Sequence, residues 1–374
     1  MIKVAIVGGK LQGTEAVYLA RLAGFESILI DYSPDVPASG FCDEFVCGNV
    51  VERDPKVIEA LKKADFVLPA MENDMVLEEL CKICKEENLK IAFDMDAYKI
   101  TSSKVKTDRM MHERNIPAPL YYPKSEGPYI IKPSGESGSA GVRRAETRQE
   151  VEEFLLHRED KFNWIVEEYL EGPSYSIEVI GNGKEYRTYK ITEIHMDEVY
   201  DCCKVTAPCN ITEKQADEFN NIAIKLAKMV NLKGIMDVEV IESNGQLKVL
   251  EIDARIPSQT PCVVYYSSGM NLLSELADIV LYDEFRTEKI DFNKYASYEH
   301  YIFENHKTKQ IGEHIMGDSR PLKVRNNLLG SDVVISDLVD GVRDFRGIFI
   351  NHDDTLDALE EKREKVAATL KLLP

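Results

Sequence analysis

The sequence predicts an α/β protein: a parallel sheet first, a small α+β unit next, and a mostly antiparallel sheet after it. Three observations predict this. The first third alternates strand and helix patterns with short loops, the mark of a parallel sheet covered by helices. A lysine-ended strand, "YIIK", then runs into "PSGESGSAG", a loop with three glycines and three serines. From Tyr175 onward strand patterns dominate, broken by one long helix, and two of the strands carry paired acids.

The elements follow in order. "KVAIVGG" reads as a strand, "LQGTEAVYLARLAG" as a helix and "SILIDYSP" as a strand. "FVLPAMEND" is a further strand, "MVLEELCKICKEEN" a helix and "KIAFDM" a last short strand, which ends a first domain at residues 1–95. A Thr/Ser cap opens the helix of "TSSKVKTDRMMHERNIPAP", and its prolines stop it. With "YIIK", the helix Gln149–His157 and the strand "NWIVEEYLEG", this forms a lid unit over 96–172. "YSIEVIG", "EYRTYKITEIH", the helix Glu213–Val230, "IMDVEVIES" and "QLKVLEIDA" make a catalytic unit over 173–285. Residues 286–374 end in strands and the helix "TLDALEEKREKVAATL" and are expected to pack on that core.

Composition narrows the partners. The 374 residues carry 46 Lys and Arg against 65 Asp and Glu, a net charge of −19, which would repel nucleic acid and anionic membranes. An anionic ligand therefore needs a local cationic site. No apolar run is long enough for a membrane span, and "MIKVAIVGG" enters a strand at once rather than a signal peptide. Eight cysteines in a long chain of this kind point to free thiols in the cytoplasm. Cys81 and Cys84 fall in a helical pattern and read as helix thiols rather than zinc ligands; Cys202 and Cys203 have no assigned role.

The most informative stretch is "IMDVEVIESNGQLKVLEIDARIPSQTP". Asp237 and Glu239 share a face of the first strand; Glu251, Asp253 and Arg255 share a face of the second. Whether the two sets meet depends on the turn. A two-residue Asn244–Gly245 turn puts Glu239 opposite Leu250, on the wrong side from Glu251. A three-residue loop, or a bulge, brings Glu239 and Glu251 together. Converging half-buried acids repel one another and are relieved by a divalent cation; hard oxygen ligands suit Mg²⁺. The competing reading is a solvated strand face with scattered acids.

Lys132 and the glycine loop, with Ser139 within it, suit the phosphates of a nucleotide, and Lys104 is a second phosphate contact. This is not the G-x-x-x-x-G-K-S/T loop, since no Lys-Ser/Thr follows the last glycine. "IVEEYLEG" offers an adenine strip, with Glu167, Glu168, Tyr169 and Leu170 at the base and ribose. At the N-terminus, Gly8-Gly9-Lys10-Leu11-Gln12-Gly13 has Lys10 where a dinucleotide fingerprint needs glycine. Lys10, Leu11 and Gln12 are instead read as lining a nucleotide or substrate pocket. Asp31 and Glu72 end parallel strands, where open α/β sheets bind ligands; Asp31 is assigned to the nucleotide and Glu72 to an ammonium group.

Lys104, Lys132 with its loop, "VEEYLEG" and "DVEVI…VLEIDAR", in this order, resemble the ATP-grasp superfamily over about residues 1–281. Members usually end the metal strand in Glu-x-Asn; Glu251-x-Asp253 stands here. "VGGKLQGTEAVYLARLAGFESILID", "VLPAMEN", "GIMDVE" and "EIDARIPSQTPCVVYYSSGMNLL" are similar to the ligases of pyrrolysine biosynthesis, which join 3-methyl-D-ornithine to the ε-amine of L-lysine. The resemblance implies an ATP-grasp fold, ATP and Mg²⁺, an acyl phosphate, and assembly as a homodimer. It implies Mg²⁺ on Glu239, Glu251 and Asp253, and Arg255 on the reacting carboxylate. Ser176, Ile177, Glu178, Asp237, Ser258, Gln259 and Thr260 would line the amino-acid pocket. Glu72, Asp237 and the phosphate are the groups that could take the amine's proton. Three other readings compete: an ATP-grasp ligase for other substrates, a dinucleotide-dependent oxidoreductase built on the N-terminal glycines, and a binding or scaffold protein that keeps the fold without chemistry.

Overall fold

The computed structural model describes residues 1–135, 141–156, 158–340 and 344–373. Its first unit is a four-stranded parallel sheet, ordered Glu44–Cys47, Glu26–Asp31, Lys3–Val7, Phe66–Pro69. The central strand "KVAIV" is apolar on both faces, as a sheet covered on both sides requires. Val4 and Ile6 face the helix Leu11–Leu22, while Ala5 and Val7 share a second core with the helices Pro55–Lys63 and Asp74–Glu86. Cys81 and Cys84 lie on the last of these helices, Cys84 buried in that second core.

The segment "KIAFDM" departs from the expected strand. Only Ile91 pairs, in a single bridge to Val67. Asp94 ends the extension: its Oδ1 accepts the N–H groups of Asp96 and Ala97 and so caps a helix, Met95–Thr101, that the sequence pattern did not suggest. Ser103 then opens the helix Lys104–Glu113. A three-stranded antiparallel sheet follows, ordered Arg143–Ala145, Tyr129–Pro133, Trp164–Glu168, with the helix Arg148–Leu156.

The largest layer is a sheet of eleven strands among the described residues. It runs Gln246–Asp253, Lys233–Ser243, Ser174–Asn182, Thr192–Met196, Cys202–Ala207, Tyr295–Glu304, Phe345–Asp353, Ser331–Ser336, Lys323–Leu328; two short strands sit beside this path. The expected strand "EYRTYKITEIH" is two short strands, Tyr186–Thr188 and Thr192–Met196, one after the other on the edge of Ser174–Asn182 that Lys233–Ser243 leaves open, and Cys202–Ala207 is a strand the pattern missed. The sheet crosses residue 285 without a break, so the C-terminal strands extend it rather than lie on it. Helix Glu213–Met229 covers one face. A Thr212–Gln215 capping box starts it, and Phe219, Ile222, Ala223 and Leu226 fall on one stripe against Ile177, Val179, Val238 and Val240. Phe219 is fully buried, so truncating it to alanine would cost about 3–5 kcal/mol. Helices Thr260–Ser268 and Leu272–Tyr282 join the core that the large sheet shares with the N-terminal helix. No helix among the described residues is long and apolar enough to cross a membrane.

Candidate functional site

The hairpin resolves the register question. Ser243 pairs with Gln246, so the turn is the two-residue Asn244–Gly245. Both turn residues have positive φ, 53° and 80°, the geometry of a type I′ turn. That turn alone would set Glu239 on the wrong side. The ladder shifts between Glu239 and Val240: Val240 faces Val249, while Glu239 faces Glu251 and Asp237 faces Asp253. Leu250 is the extra residue of a β-bulge, and the bulge restores the parity.

The neighbouring strand extends these rows. Ser176 stands beside Glu239 and Glu178 beside Asp237, so the sheet presents Ser176–Glu239–Glu251 and Glu178–Asp237–Asp253 side by side. Burial and the nearby Glu251 and Asp253 push the Glu239 carboxyl up to about 8. Burial pushes Asp237 and Asp253 well above the carboxylate range, against the pull of Arg255, and pushes Glu178 up to about 7. Asp237 Oδ1 and Ser176 Oγ accept or donate no hydrogen bond within the chain.

Cations already lean on this cluster. Lys104 Nζ contacts Glu251. Arg255 spans three acids: Nε to Glu72 at 2.5 Å, Nη2 to Asp253 at 3.1 Å and Nη1 to Asp237 at 3.7 Å. Glu251 and Asp253 thus contact different cations. Accordingly, no three His, Cys, Asp or Glu side chains among the described residues are gathered around one metal-sized point. The chemistry of the donors nonetheless fits a hard divalent cation: carboxylate oxygens with too little positive charge among them.

Two adjoining cavities meet at the hairpin. One, of about 460 Å³, lies between the three-stranded sheet and the large one. Lys104, Lys132, Glu167, Glu168, Tyr169, Leu170, Glu239 and Glu251 all line it. Lys132 Nζ pairs with Glu167 at 2.7 Å, both nearly buried, and lies 3.5 Å from the carbonyl of the bulge residue Leu250. Burial alone would lower the Lys132 pKa, but Glu167 and Asp108 outweigh it and raise it. Glu168 accepts from Lys248 at 2.5 Å and from the Leu120 N–H at 2.8 Å. Ser139 lies outside the described residues.

The other cavity, about 100 Å³, is lined by Ser176, Asp237, Asp253, Arg255, Ser258, Gln259 and Thr260. Glu239 and Glu251 line both cavities and form the wall between them. Further liners, Tyr200, Cys202 and Glu313 among them, were not anticipated. Gln259 is strained: φ 67°, ψ −57°, with the Thr260 N–H donating to the Ser258 carbonyl at 2.7 Å across a three-residue γ-turn. Such a conformation in a non-glycine residue costs about 1–3 kcal/mol and persists only where its surroundings impose it.

Other expected residues sit differently. The Ile177 side chain is fully buried in the core under helix Glu213–Met229, because it alternates with Ser176 and Glu178. It therefore does not line the smaller cavity, and neither does Glu178, which is fully buried. Asp31 is engaged by backbone N–H groups of two loops: Oδ2 accepts the Gly9 N–H at 2.8 Å and Oδ1 the Ser33 N–H at 2.9 Å. Neither it nor Lys10 lines the nucleotide cavity. Gln12 Nε2 donates to Glu72 Oε1 at 2.7 Å, and Glu72 meets Arg255, so the N-terminal unit reaches the smaller cavity through this chain of contacts. Leu11 is partly buried against the shared core.

A nucleotide-sized cavity between two sheets, cationic at one end and walled by carboxylates shared with a second pocket, defines an ATP-grasp protein. The ATP-grasp domain family matches residues 101–259. The structure resembles the biotin carboxylase domain of Hydrogenobacter thermophilus 2-oxoglutarate carboxylase, solved with MgADP, ADP and bicarbonate (TM-score 0.76, 14% identity, 98% of this chain and 89% of that one). It also resembles an L-amino acid ligase from Bacillus licheniformis (TM-score 0.70, 16% identity, 99% of this chain and 98% of that one). At these identities the likeness shows the fold alone. In sequence the chain is 39% identical over 318 residues to the 3-methyl-D-ornithine–L-lysine ligase of Methanosarcina barkeri, covering 84% of each. The chain belongs to this family of ligases, whose members form C–N bonds.

Proposed function

We propose that this protein joins the carboxyl of (3R)-3-methyl-D-ornithine to the ε-amine of L-lysine, using ATP and Mg²⁺, as a step of pyrrolysine biosynthesis in the cytoplasm. The observation that carries the reading is the shared wall: Glu239 and Glu251 face a nucleotide cavity on one side and an amino-acid cavity on the other. That juxtaposition suits transfer of a terminal phosphoryl group to a carboxylate.

The substrate carboxylate oxygen attacks the γ-phosphorus, the bond to the β-phosphate oxygen breaks, and ADP leaves. Lys104 and Lys132 stabilise the charge gathering on the phosphates. Mg²⁺ held by Glu239, Glu251 and Asp253 supplies further neutralisation of that charge when bound. Arg255 holds the carboxylate and then the oxyanion, since its planar fork suits both. The ε-amine, with an ordinary pKa of about 10.4, must lose a proton before it attacks the acyl carbon and expels phosphate. Glu72 holds the ammonium groups at the N-terminal side. The lid protects the acyl phosphate from water. Assembly as a homodimer completes the reading.

The test supplies ATP, Mg²⁺, L-lysine and a panel of D- and L-ornithines, with and without the 3-methyl group, and weighs the products. A new dipeptide mass with ADP and phosphate is expected. AMP and pyrophosphate would reject acyl-phosphate chemistry, and a failure to couple any ornithine would reject the substrates.

A further inference from the structure

Among the described residues, the C-terminal segment contributes Glu313 to the amino-acid cavity, on the short 3₁₀ turn Glu313–Asp318. Its carboxylate Oε2 accepts the hydroxyl of Ser258 at 2.6 Å, and Ser258 precedes Gln259 in the chain. These two residues form the first half of the strained turn between the Asp253 strand end and helix Thr260–Ser268. The far side of Gln259 is held as well: its Oε1 accepts the Cys202 thiol at 3.1 Å, and the residue is only 3% exposed.

Glu313 is itself fixed from both sides. The Gly312 N–H donates to Asp197 Oδ2 at 3.0 Å, and the His314 N–H donates to Asp201 Oδ2 at 3.1 Å. His314 Nδ1 lies 2.8 Å from the same Asp201 oxygen. Gly312 fits tightly there, since a Cβ on it would fall 2.0 Å from Asp201 Cγ. The loop that clamps Glu313 carries Tyr200, which lines both cavities.

We propose that Glu313 is a positioning residue of the ligation reaction: by holding Ser258 it keeps the turn at Gln259 strained and so aims Ser258, Thr260 and Arg255 at the substrate carboxylate. The inference rests on the ligase reading for its kinetic readout. A non-glycine residue at φ 67° relaxes unless held, and the side-chain bond that holds the start of the turn, from the Ser258 hydroxyl, ends on this carboxylate. Relaxation would swing the turn that separates Arg255 from the helix, without touching Lys104, Lys132 or the lid.

Glu313→Ala and Glu313→Gln test it in the full chain. Gln retains a carbonyl acceptor for the Ser258 hydroxyl; Ala retains none. The expected result for Glu313→Ala is a rise of about tenfold in KM for the ornithine-type carboxylate, with KM for ATP within about twofold of the unaltered enzyme. Glu313→Gln is expected to recover most of the loss. Equal rises in both KM values, or a Gln variant as impaired as the Ala variant, would overturn the positioning role. A crystal structure of Glu313→Ala provides the arm that does not depend on substrate identity: Gln259 is expected at negative φ, and a retained φ near 67° overturns the inference. Absence of ligation by the unaltered enzyme would instead reject the substrate reading and leave the structural arm to decide on Glu313.

Discussion

Arg255 is the residue on which most of the site's electrostatics converge. It is 14% exposed at the side chain and spans Glu72, Asp253 and Asp237 with separate guanidinium nitrogens. Burial works against its charge, but the three acids raise its pKa well above the ordinary value. A lysine there would present one point charge where a planar fork is used, so Arg255→Lys is not a conservative change. It is expected to lower kcat for ligation about 100-fold, the usual cost of losing a preorganised donor, with KM for ATP within about threefold. Steady-state kinetics in both substrates checks this, and near-normal turnover would remove Arg255 from the chemistry. The spacing Glu251-x-Asp253-x-Arg255 was legible because a strand puts every second residue on one face. Glu313 was not, since nothing in "GEHIMGD" marks it; only the continuation of the large sheet past residue 285 brings it to the cavity.

At the level of elements, the hairpin shows what a pattern leaves open. Asn244–Gly245 correctly signals a two-residue turn, yet that turn alone would place Glu239 wrongly. The bulge that corrects it falls on Leu250, in an apolar run with no glycine to betray it. Its side chain lines the nucleotide cavity and its carbonyl faces Lys132, so the extra residue serves the ligand side of the sheet. If the bulge and the row of acids fix the register, the turn contributes stability but not geometry. Gly245 has φ 80°, and a Cβ on it would meet nothing within 4 Å. Gly245→Ala therefore carries only the left-handed backbone penalty, about 1–2 kcal/mol. A lower thermal midpoint with unchanged KM for ATP is expected. A marked rise in that KM would show that the turn sets the register of Glu239 after all.

Across the whole molecule, the N-terminal unit and the large sheet meet through buried polar contacts as well as the shared apolar core, and one of these should make stability depend on pH. Glu15, on helix Leu11–Leu22, is 1% exposed; its Oε1 accepts the Cys262 N–H at 2.7 Å at the start of helix Thr260–Ser268, while Oε2 has no partner. Burial pushes its carboxyl from 4.5 up to about 7, and the hydrogen bonds from Cys262 offset only part of that. The folded protein thus keeps a proton that the unfolded chain releases. Stability from this group falls as pH rises from about 4.5 to about 7 and is level above that. Glu15→Gln removes the titration while keeping an oxygen for the Cys262 N–H. Its stability relative to the unaltered protein should therefore grow by about 2 kcal/mol between pH 5.5 and pH 8, at about 1.4 kcal/mol per pKa unit. Parallel denaturant titrations at the two pH values measure this difference directly, because every other titrating group is common to both proteins. A gap that stays constant with pH would mean that Glu15 is ionised in the folded state, stabilised by the positive end of the helix it caps.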